Sequence, residues 1–249
     1  MTPMQARLKE LHIAVILLTR LPAGQVRGDV PSLTEARWAF PFVGLLIGWI
    51  VWAAYGVLFW LGAAPMLAAL GALTALVLLT GALHVDGLAD YTDGIGGGRD
   101  TAHRLEIMRD SSIGSYGVAA LIICLGVWVT SIGAIGAQAG LLAFLMIGFS
   151  SRYMMVLLLE VLPPARGDGM GVLAEGRAPM ALLLGGVAAV FLALFLGVAG
   201  LVTLAVMLLV TALLGWQAKR YIGGHTGDVL GATQLISETL AWALLSVFL

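Results

Sequence analysis

The stretch that decides the fold is WAFPFVGLLIGWIVWAAYGVLFWLGAAPMLAALGALTALVLLTGAL (38–83), which has no Asp, Glu, Lys or Arg over 46 residues. A helix needs about 20 apolar residues to cross a bilayer, so this run is long enough for two crossings. Gly62 and Pro65 supply residues suited to the turn between them. The run therefore predicts two membrane helices, roughly over 38–61 and 65–83.

Two further charge-free runs lie towards the C-terminus. Residues 112–151 divide near 133–140, and the second half continues past Arg152 towards Glu160. Residues 180–218 divide near 197–200 in the same way. Each run has twice the length of one crossing, so each predicts a pair of helices.

The two ends of the chain complete the predicted topology. A final apolar segment, about 229–249, contains Glu238 and predicts a seventh span. Near the start, only about eight uncharged residues (12–19) follow Arg7, Lys9 and Glu10, too few to cross. We expect an uncleaved interfacial or re-entrant helix there. The fold class predicted is all-α: one polytopic membrane-embedded domain, 1–249, with about seven spans.

Composition supports a membrane protein and argues against several other classes. Apolar residues make up 60% of the chain, charged residues only 11%, and the mean hydropathy is +1.01. Soluble domains have about 25% charged residues. The net charge of -1 gives no basis for binding nucleic acid. The single Cys124 excludes an internal disulfide.

The basic residues predict the orientation. All 13 Lys and Arg residues fall before Trp38, within 84–111, within 152–177, or at 219–220. With the predicted spans, these four segments lie on one side of the membrane. Positively charged loops stay in the cytoplasm, so we expect the N-terminus and the active site to face the cytoplasm from the cell inner membrane.

An acidic cluster follows the opening run directly, in HVDGLADYTDGIGGG (84–98). If residues 83–94 continue the helix, Asp86, Asp90 and Asp93 share one face, where three anions repel one another. Such an arrangement favours a bound cation. Oxygen ligands indicate a hard ion, Mg²⁺ first, with Mn²⁺ or Ca²⁺ as alternatives. The other interpretation is an ordinary solvated polar loop.

Other polar segments end helices on the same predicted side. Arg109 is suited to binding a phosphate through two hydrogen bonds. Asp110 is expected to be a further metal ligand. Arg152 lies in an apolar stretch and therefore needs an acidic or phosphate partner. KRYIGGHTGD (219–228) offers two cations and Asp228, and PPARGDGMG (163–171) is expected to be a mobile loop. Acids, cations and glycine turns on one side indicate diphosphate chemistry.

The chain resembles the cobalamin synthase family, the adenosylcobinamide-GDP ribazoletransferases. The resemblance rests on TRLP (19–22), FPFVGLLIG (40–48), TGALHVDGLADYTDG (80–94), LEIMRDSSIGSYG (105–117), SR (151–152) and KRYIGGHTGDVLGA (219–232). These segments cover most of the chain in the family's order. The two most specific stretches are HVDGLADYTDG (84–94) and GGHTGDVLGA (223–232).

The resemblance implies a Mg²⁺-dependent membrane enzyme of cobalamin nucleotide-loop assembly. It would join adenosylcobinamide-GDP to α-ribazole or α-ribazole 5′-phosphate and release GMP. The family's acidic motif maps to Asp86, Asp90 and Asp93, the expected catalytic residues, which with Asp110 are also the expected metal ligands. The residues expected to contact substrate are His84, Arg109, Ser111, Arg152, Lys219, Arg220, Thr226 and Asp228. The partners expected are the two substrates and the lipid bilayer, with a homo-oligomer or other cobalamin-pathway enzymes as further options.

Three alternatives remain at this point. A CDP-alcohol phosphotransferase shares the DG start of the motif, but here DGLAD replaces that family's DG-x-x-AR pattern. A cation-coupled transporter could use membrane carboxylates, although transporters place them near the midplane. A membrane scaffold for pathway enzymes would not need the acids for turnover.

Overall fold

The structure, a computed structural model, describes residues 2–26, 28–168, 174 and 176–249. Within these residues the chain forms eleven α-helices and no β-sheet. The helices are α1 (Pro3–Leu18), α2 (Leu33–Ala36), α3 (Ala39–Trp60), α4 (Pro65–Thr80), α5 (Leu83–Gly97), α6 (Thr101–Ile107), α7 (Ser115–Ile135), α8 (Leu141–Val161), α9 (Pro179–Leu194), α10 (Gly197–Ile222) and α11 (Gly227–Phe248), with a 3-10 turn at Gly136–Gln138 after α7.

The all-α, polytopic fold predicted from the sequence is confirmed. Five helices, α3, α7, α8, α10 and α11, are long and apolar enough to cross a membrane. The other two predicted spans are also helices, but α4 and α9 have only 16 residues each. At 1.5 Å per residue such a helix is roughly 24 Å long, shorter than a bilayer core of about 30 Å. The count of seven spans therefore stays a prediction.

The apolar helices divide into an inner and an outer group. In α8 and α11 most of the apolar window is buried inside the protein, 78% and 72% respectively. In α3, α7 and α10 only about a third or less is buried. Exposed apolar faces on spanning helices are the surface that lipid covers. α8 and α11 are thus the central helices of the bundle.

A sharp bend separates α4 from α5. Residues 83–94 are helical, which is the condition under which the three acids share a face, but they belong to α5, which starts at an angle of 89° to α4. Gly81 and Ala82 adopt left-handed backbone conformations, with φ of 62° and 60°. Glycine reaches this region at no steric cost and commonly ends helices. The bend turns α5 almost perpendicular to α4.

Helix α5 lies across the N-terminal ends of α7 and α11. Its Asp93 carboxylate contacts the backbone at the start of α7. A Cβ added at Gly87 would lie 3.1 Å from the Cα atom of Gly231 in α11. Only glycine at this crossing allows the two backbones to approach so closely. We therefore treat α5 as lying at the end of the bundle, outside the spanning segments.

The four polar segments meet at this same end, as the charge pattern predicted. Thr101 donates a hydrogen bond to the carbonyl of Tyr221, linking the segment after α5 to the end of α10. The backbone at Pro163–Ala165 is paired with His225 by two hydrogen bonds. The segment 163–168, which we expected to be mobile, is thus anchored in the structure; residues 169–171 of that motif lie outside the described residues.

Candidate active site

The predicted acids Asp86, Asp90 and Asp93 all lie on α5, and their surroundings differ. Asp86, in the first turn, is exposed; Asp90 is partly buried; Asp93 is buried. A fourth acid, Asp228 in the first turn of α11, joins them. The charges of the other three all act on Asp90, which lies among them.

Asp90 shows most directly that the cluster carries excess negative charge. Burial, followed by the charges of Asp86, Asp228 and Asp93, raises its pKa from 3.8 to about 7. The Arg166 guanidinium opposes this shift but is the weakest of the contributions. A carboxyl group so destabilised as an anion favours either a proton or a bound cation.

Asp93 has a task of its own in the protein. Its carboxylate accepts hydrogen bonds from the backbone N–H groups of Gly114 and Gly117, at 2.7 and 2.9 Å. These are the N-cap and third residues of α7, whose N–H groups have no partner within the helix. A carboxylate there also interacts favourably with the helix dipole. Asp93 thus joins α5 to α7 and has fewer free lone pairs than its neighbours.

Asp228 is held in place by its own turn and by one cation. Thr226, the N-cap residue of α11, donates from its hydroxyl to Asp228 at 3.0 Å and accepts from the N–H of Val229. Arg166 lies 3.8 Å from the Asp228 carboxylate and also donates to the carbonyl of Leu105. The TGD sequence thus fixes one wall of the acidic cluster, and Arg166 is the cation beside it.

A cavity of about 200 Å³ opens beside Asp86 and Asp228. It lies where α1, α3, α5, α8 and α11 meet, and its walls are mainly apolar. We call it the apolar chamber. His84 lines it, and the Nε2 atom of this side chain is buried without a hydrogen-bond partner among the described residues.

A second, open groove of about 570 Å³ lies between α6 and the 163–168 segment. It is lined by two cations, Arg166, which also lies beside Asp228, and Arg109. Arg109 forms an exposed ion pair with Asp168 across this groove. The groove is therefore polar and solvated, unlike the apolar chamber.

The donor set suits a hard divalent cation, although the described residues contain no group of three or more His, Cys, Asp and Glu side chains arranged to hold a metal. Mg²⁺ usually takes one or two protein carboxylates and fills its remaining positions with water and phosphate oxygens. Asp86, Asp90 and Asp228 supply such oxygens without a matching number of cations. The cluster fits an ion that arrives together with a phosphate ligand.

The comparisons with known proteins place the chain in a family. The family model described as cobalamin-5-phosphate synthase matches residues 10–246. The chain belongs to this family. Among its relatives, a protein of Bradyrhizobium diazoefficiens is 40% identical over 245 residues, covering 96% of this chain and 94% of its own.

Two further relatives give the same picture. A protein of Mesorhizobium japonicum is 35% identical, covering 97% of this chain and 94% of its own length. One of Azorhizobium caulinodans is 41% identical, covering 88% and 87%. All three are named adenosylcobinamide-GDP ribazoletransferase. No solved structure matches the chain. The resemblance seen in the sequence is thereby confirmed: this is an enzyme of the cobalamin-5-phosphate synthase family.

The structure brings some predicted site residues of this family member together and separates others. Asp86, Asp90, Asp228 and Thr226 meet at one place, with His84 in the adjoining chamber. Asp110 is exposed, accepts from the N–H of Ser112, and is absent from the charges acting on Asp90. Exposed Ser111, Lys219 and Arg220 make no hydrogen bond or ion pair within the described residues. Their roles stay predictions.

Arg152 has the acidic partner that we expected, and that partner is Glu238. Its guanidinium is fully buried and donates to the Glu238 carboxylate at 2.6 Å. Ser151, Gln234 and Trp128 donate to the same carboxylate. This placement argues for a structural contact inside the bundle and gives no support to direct phosphate binding by Arg152.

Sequence reasoning missed the role of Arg166 and the pair between Arg37 and Glu160. Arg166 lies in a segment that we took for a mobile loop, although an arginine beside Gly-Asp on the polar side was a usable signal. Arg37 is fully buried and donates to Glu160 at 2.6 Å. Its charge, after burial of the imidazole, helps to lower the pKa of His225 to about 4. His225 is therefore neutral at physiological pH.

Proposed function

We propose that this enzyme joins adenosylcobinamide-GDP to α-ribazole or α-ribazole 5′-phosphate, yielding adenosylcobalamin or its 5′-phosphate and GMP. The reaction is a late step of nucleotide-loop assembly. The observation that carries the proposal is the acidic cluster, with its incomplete charge compensation, at the polar end of a chain of this family. A diphosphate together with a divalent cation is a ligand that such a cluster would bind.

The bond changes follow from the substrates. A ribazole hydroxyl oxygen forms a bond to the phosphorus next to cobinamide, and the bond from that phosphorus to the oxygen shared with GMP breaks. The hydroxyl proton passes to a carboxylate of the cluster, and GMP leaves with the bridging oxygen. Most of the catalysis in such a transfer comes from positioning and from electrostatic stabilisation.

The protein groups divide this work between them. Asp86, Asp90 and Asp228 would hold Mg²⁺, which when bound would neutralise the diphosphate and stabilise the charge developing on GMP. Arg166 and Arg109 border the polar groove and are suited to phosphate oxygens. Asp93 fixes the start of α7 against α5 and so keeps the cluster in shape.

The test is an assay with purified protein in detergent, supplied with both substrates. We expect GMP release that depends on added Mg²⁺ and stops with EDTA. Because detergent leaves no sealed compartment, turnover there excludes cation-coupled transport as the activity. An Asp29→Asn variant, altering an exposed acid far along the chain from the cluster, should behave like the parent. Turnover that persists at full rate in EDTA would remove the metal from the proposal.

We also propose that the polar end faces the cytoplasm from the cell inner membrane. In a Cys124→Ser background, Ala102→Cys would place a thiol on the exposed surface of α6, and Ala64→Cys one at the turn before α4. A membrane-impermeant thiol reagent added to intact spheroplasts should label the Cys introduced at 64 and not the one at 102. The opposite labelling would reverse the orientation.

A further inference from the structure

The apolar chamber has walls of uncommon composition for a cavity beside an acidic cluster. Its apolar lining includes Leu17 and Leu18 of α1, Phe40 of α3, and Met155 and Leu159 of α8. An apolar cavity of about 150 Å³ is large enough to bind benzene. The chamber, at about 200 Å³, has room for a larger flat aromatic system such as two fused rings.

The lining also contains a buried histidine. His84 is only 3% exposed, and its Nε2 atom has no partner among the described residues. Buried polar atoms in folded proteins nearly always have a hydrogen-bond partner, and this Nε2 atom, on a residue that lines the cavity, is free to pair with a ligand. A neutral imidazole offers one donor and one acceptor.

The position of the chamber's polar wall fixes how a ligand would lie. Asp86, Gly227 and Asp228 line the chamber together with His84. A ligand with an apolar aromatic part and a hydroxyl-bearing part would bury the first among the leucines and leave the second beside the acids. A nucleoside with an apolar base has this shape. A lipid acyl chain would also fill an apolar cavity, but it has no atom to pair with His84.

We propose that the apolar chamber binds the benzimidazole base of the acceptor nucleoside and that an imidazole nitrogen of His84 hydrogen-bonds the base's free ring nitrogen. The inference rests on the proposed function, since that function supplies the nucleoside. It assigns to His84 the recognition of the base and to the chamber the exclusion of purine bases, whose several polar edge atoms would find too few partners there.

The test compares α-ribazole with its indole counterpart, in which C–H replaces the free ring nitrogen. Equilibrium binding of each nucleoside to purified protein in EDTA is measured by calorimetry. The parent should bind α-ribazole about tenfold more tightly, the effect of one buried hydrogen bond. In His84→Leu this preference should fall to about one, and His84→Gln should recover part of it. An unchanged preference in His84→Leu overturns the assignment of His84.

A second pair of variants tests the chamber itself. Leu17→Trp would fill it, whereas Ile16→Trp, its neighbour on α1, changes an exposed position. We expect Leu17→Trp to weaken α-ribazole binding tenfold or more and to raise its KM with little change in the KM for adenosylcobinamide-GDP. Ile16→Trp should alter neither. Equal effects on both substrates would place the base elsewhere, and lipid retained in the chamber by mass spectrometry, displaced by Leu17→Trp but not by α-ribazole, would identify an acyl chain as the occupant.

Failure of this inference can be separated from failure of the proposed function. If the parent binds α-ribazole with the expected preference but releases no GMP, the chamber assignment stands and the reaction is wrong. If the parent turns over both substrates but does not distinguish the two nucleosides, the reaction stands and the chamber assignment is wrong.

Discussion

The Arg152–Glu238 pair and the cluster of Asp86, Asp90 and Asp228 both place charged side chains beside apolar helices, but their charges are balanced differently. Glu238 receives hydrogen bonds from a guanidinium, an indole, a hydroxyl and an amide, all supplied by the protein. The cluster has Arg166 as the one cation named among the influences on Asp90. The negative charge of Glu238 is balanced within the chain by Arg152, although the Nε and Nη2 atoms of that guanidinium have no partner among the described residues, whereas the cluster carries more carboxylates than cations.

The difference separates charges that the protein balances itself from charges that it leaves in excess. A buried charge needs a partner, and Glu238 finds all of its partners inside the bundle, where water is absent. The cluster lies at the bundle end, where its excess negative charge can be balanced by a ligand from solution. Substitutions in the two regions should therefore affect different measurements: stability in the first and activity in the second.

The largest effect is expected from Arg152→Met, which leaves Glu238 buried without its cation. Breaking one partner of a buried ion pair costs about 3–5 kcal/mol, so the thermal midpoint in detergent should fall strongly. The double variant Arg152→Met with Glu238→Met should recover most of that loss and retain activity. If the double variant is stable but inactive, Arg152 contacts substrate, and the distinction between the two regions fails.

The next effect is expected from Asp86→Asn, which removes a charge from the incomplete cluster. We expect kcat to fall by a factor on the order of 10²–10³, a typical result of removing one electrostatic contact to the transition state. The thermal midpoint should stay close to that of the parent because Asp86 is exposed. Activity close to that of the parent would show that Asp86 does not hold the metal.

Asp93 combines two features: its carboxylate is hydrogen-bonded within the protein, and its charge also acts on Asp90 in the cluster. As the cap of α7, Asp93→Ala should reduce the free energy of unfolding by about 1–2 kcal/mol. Asp93→Asn keeps one acceptor oxygen and should restore much of the stability. If both variants lose activity equally while only the alanine loses stability, Asp93 is a metal ligand as well as a cap.

The smallest effect is a pH dependence of stability in the metal-free protein. The folded state raises the pKa of Asp90 from 3.8 to about 7, so it retains a proton that the unfolded chain has lost. This contribution to stability is present below pH 3.8 and is lost as the pH rises to about 7. Thermal midpoints in EDTA should therefore fall with pH relative to those of Asp90→Asn, whose midpoints serve as the baseline. Added Mg²⁺ should reduce the difference, and parallel curves in EDTA would contradict it.

Much of the fold could be predicted because the length of each charge-free apolar run indicates how many membrane helices it contains. The turn at Gly62–Pro65 and the break at Gly136–Gln138 fall where the sequence indicated. The bend at Gly81 was missed because the apolar run continues through it to Leu83, and hydropathy contains no information about backbone direction. A glycine directly before a polar helix was the available signal.

The site was predictable in its chemistry and less so in its partners. The three acids of α5 were found from their spacing, but spacing does not show that Asp93 faces a helix N-terminus. Arg152 and Glu238 were each recognised as unusual intramembrane charges. Opposite charges inside a membrane tend to pair, so the two could have been joined from the sequence. The partners of Arg166 depend on tertiary contacts and could not be predicted from the sequence.

The proximity of Asp86 and Asp228 has a consequence for biosynthesis. These acids belong to α5 and α11, and helices α6 to α10 lie between them in the chain. A nascent protein leaving the ribosome therefore contains α5 well before α11 has been synthesised. The wall that Asp228 and Thr226 contribute is present only when α11 has docked, so partly synthesised chains lack the complete acidic cluster.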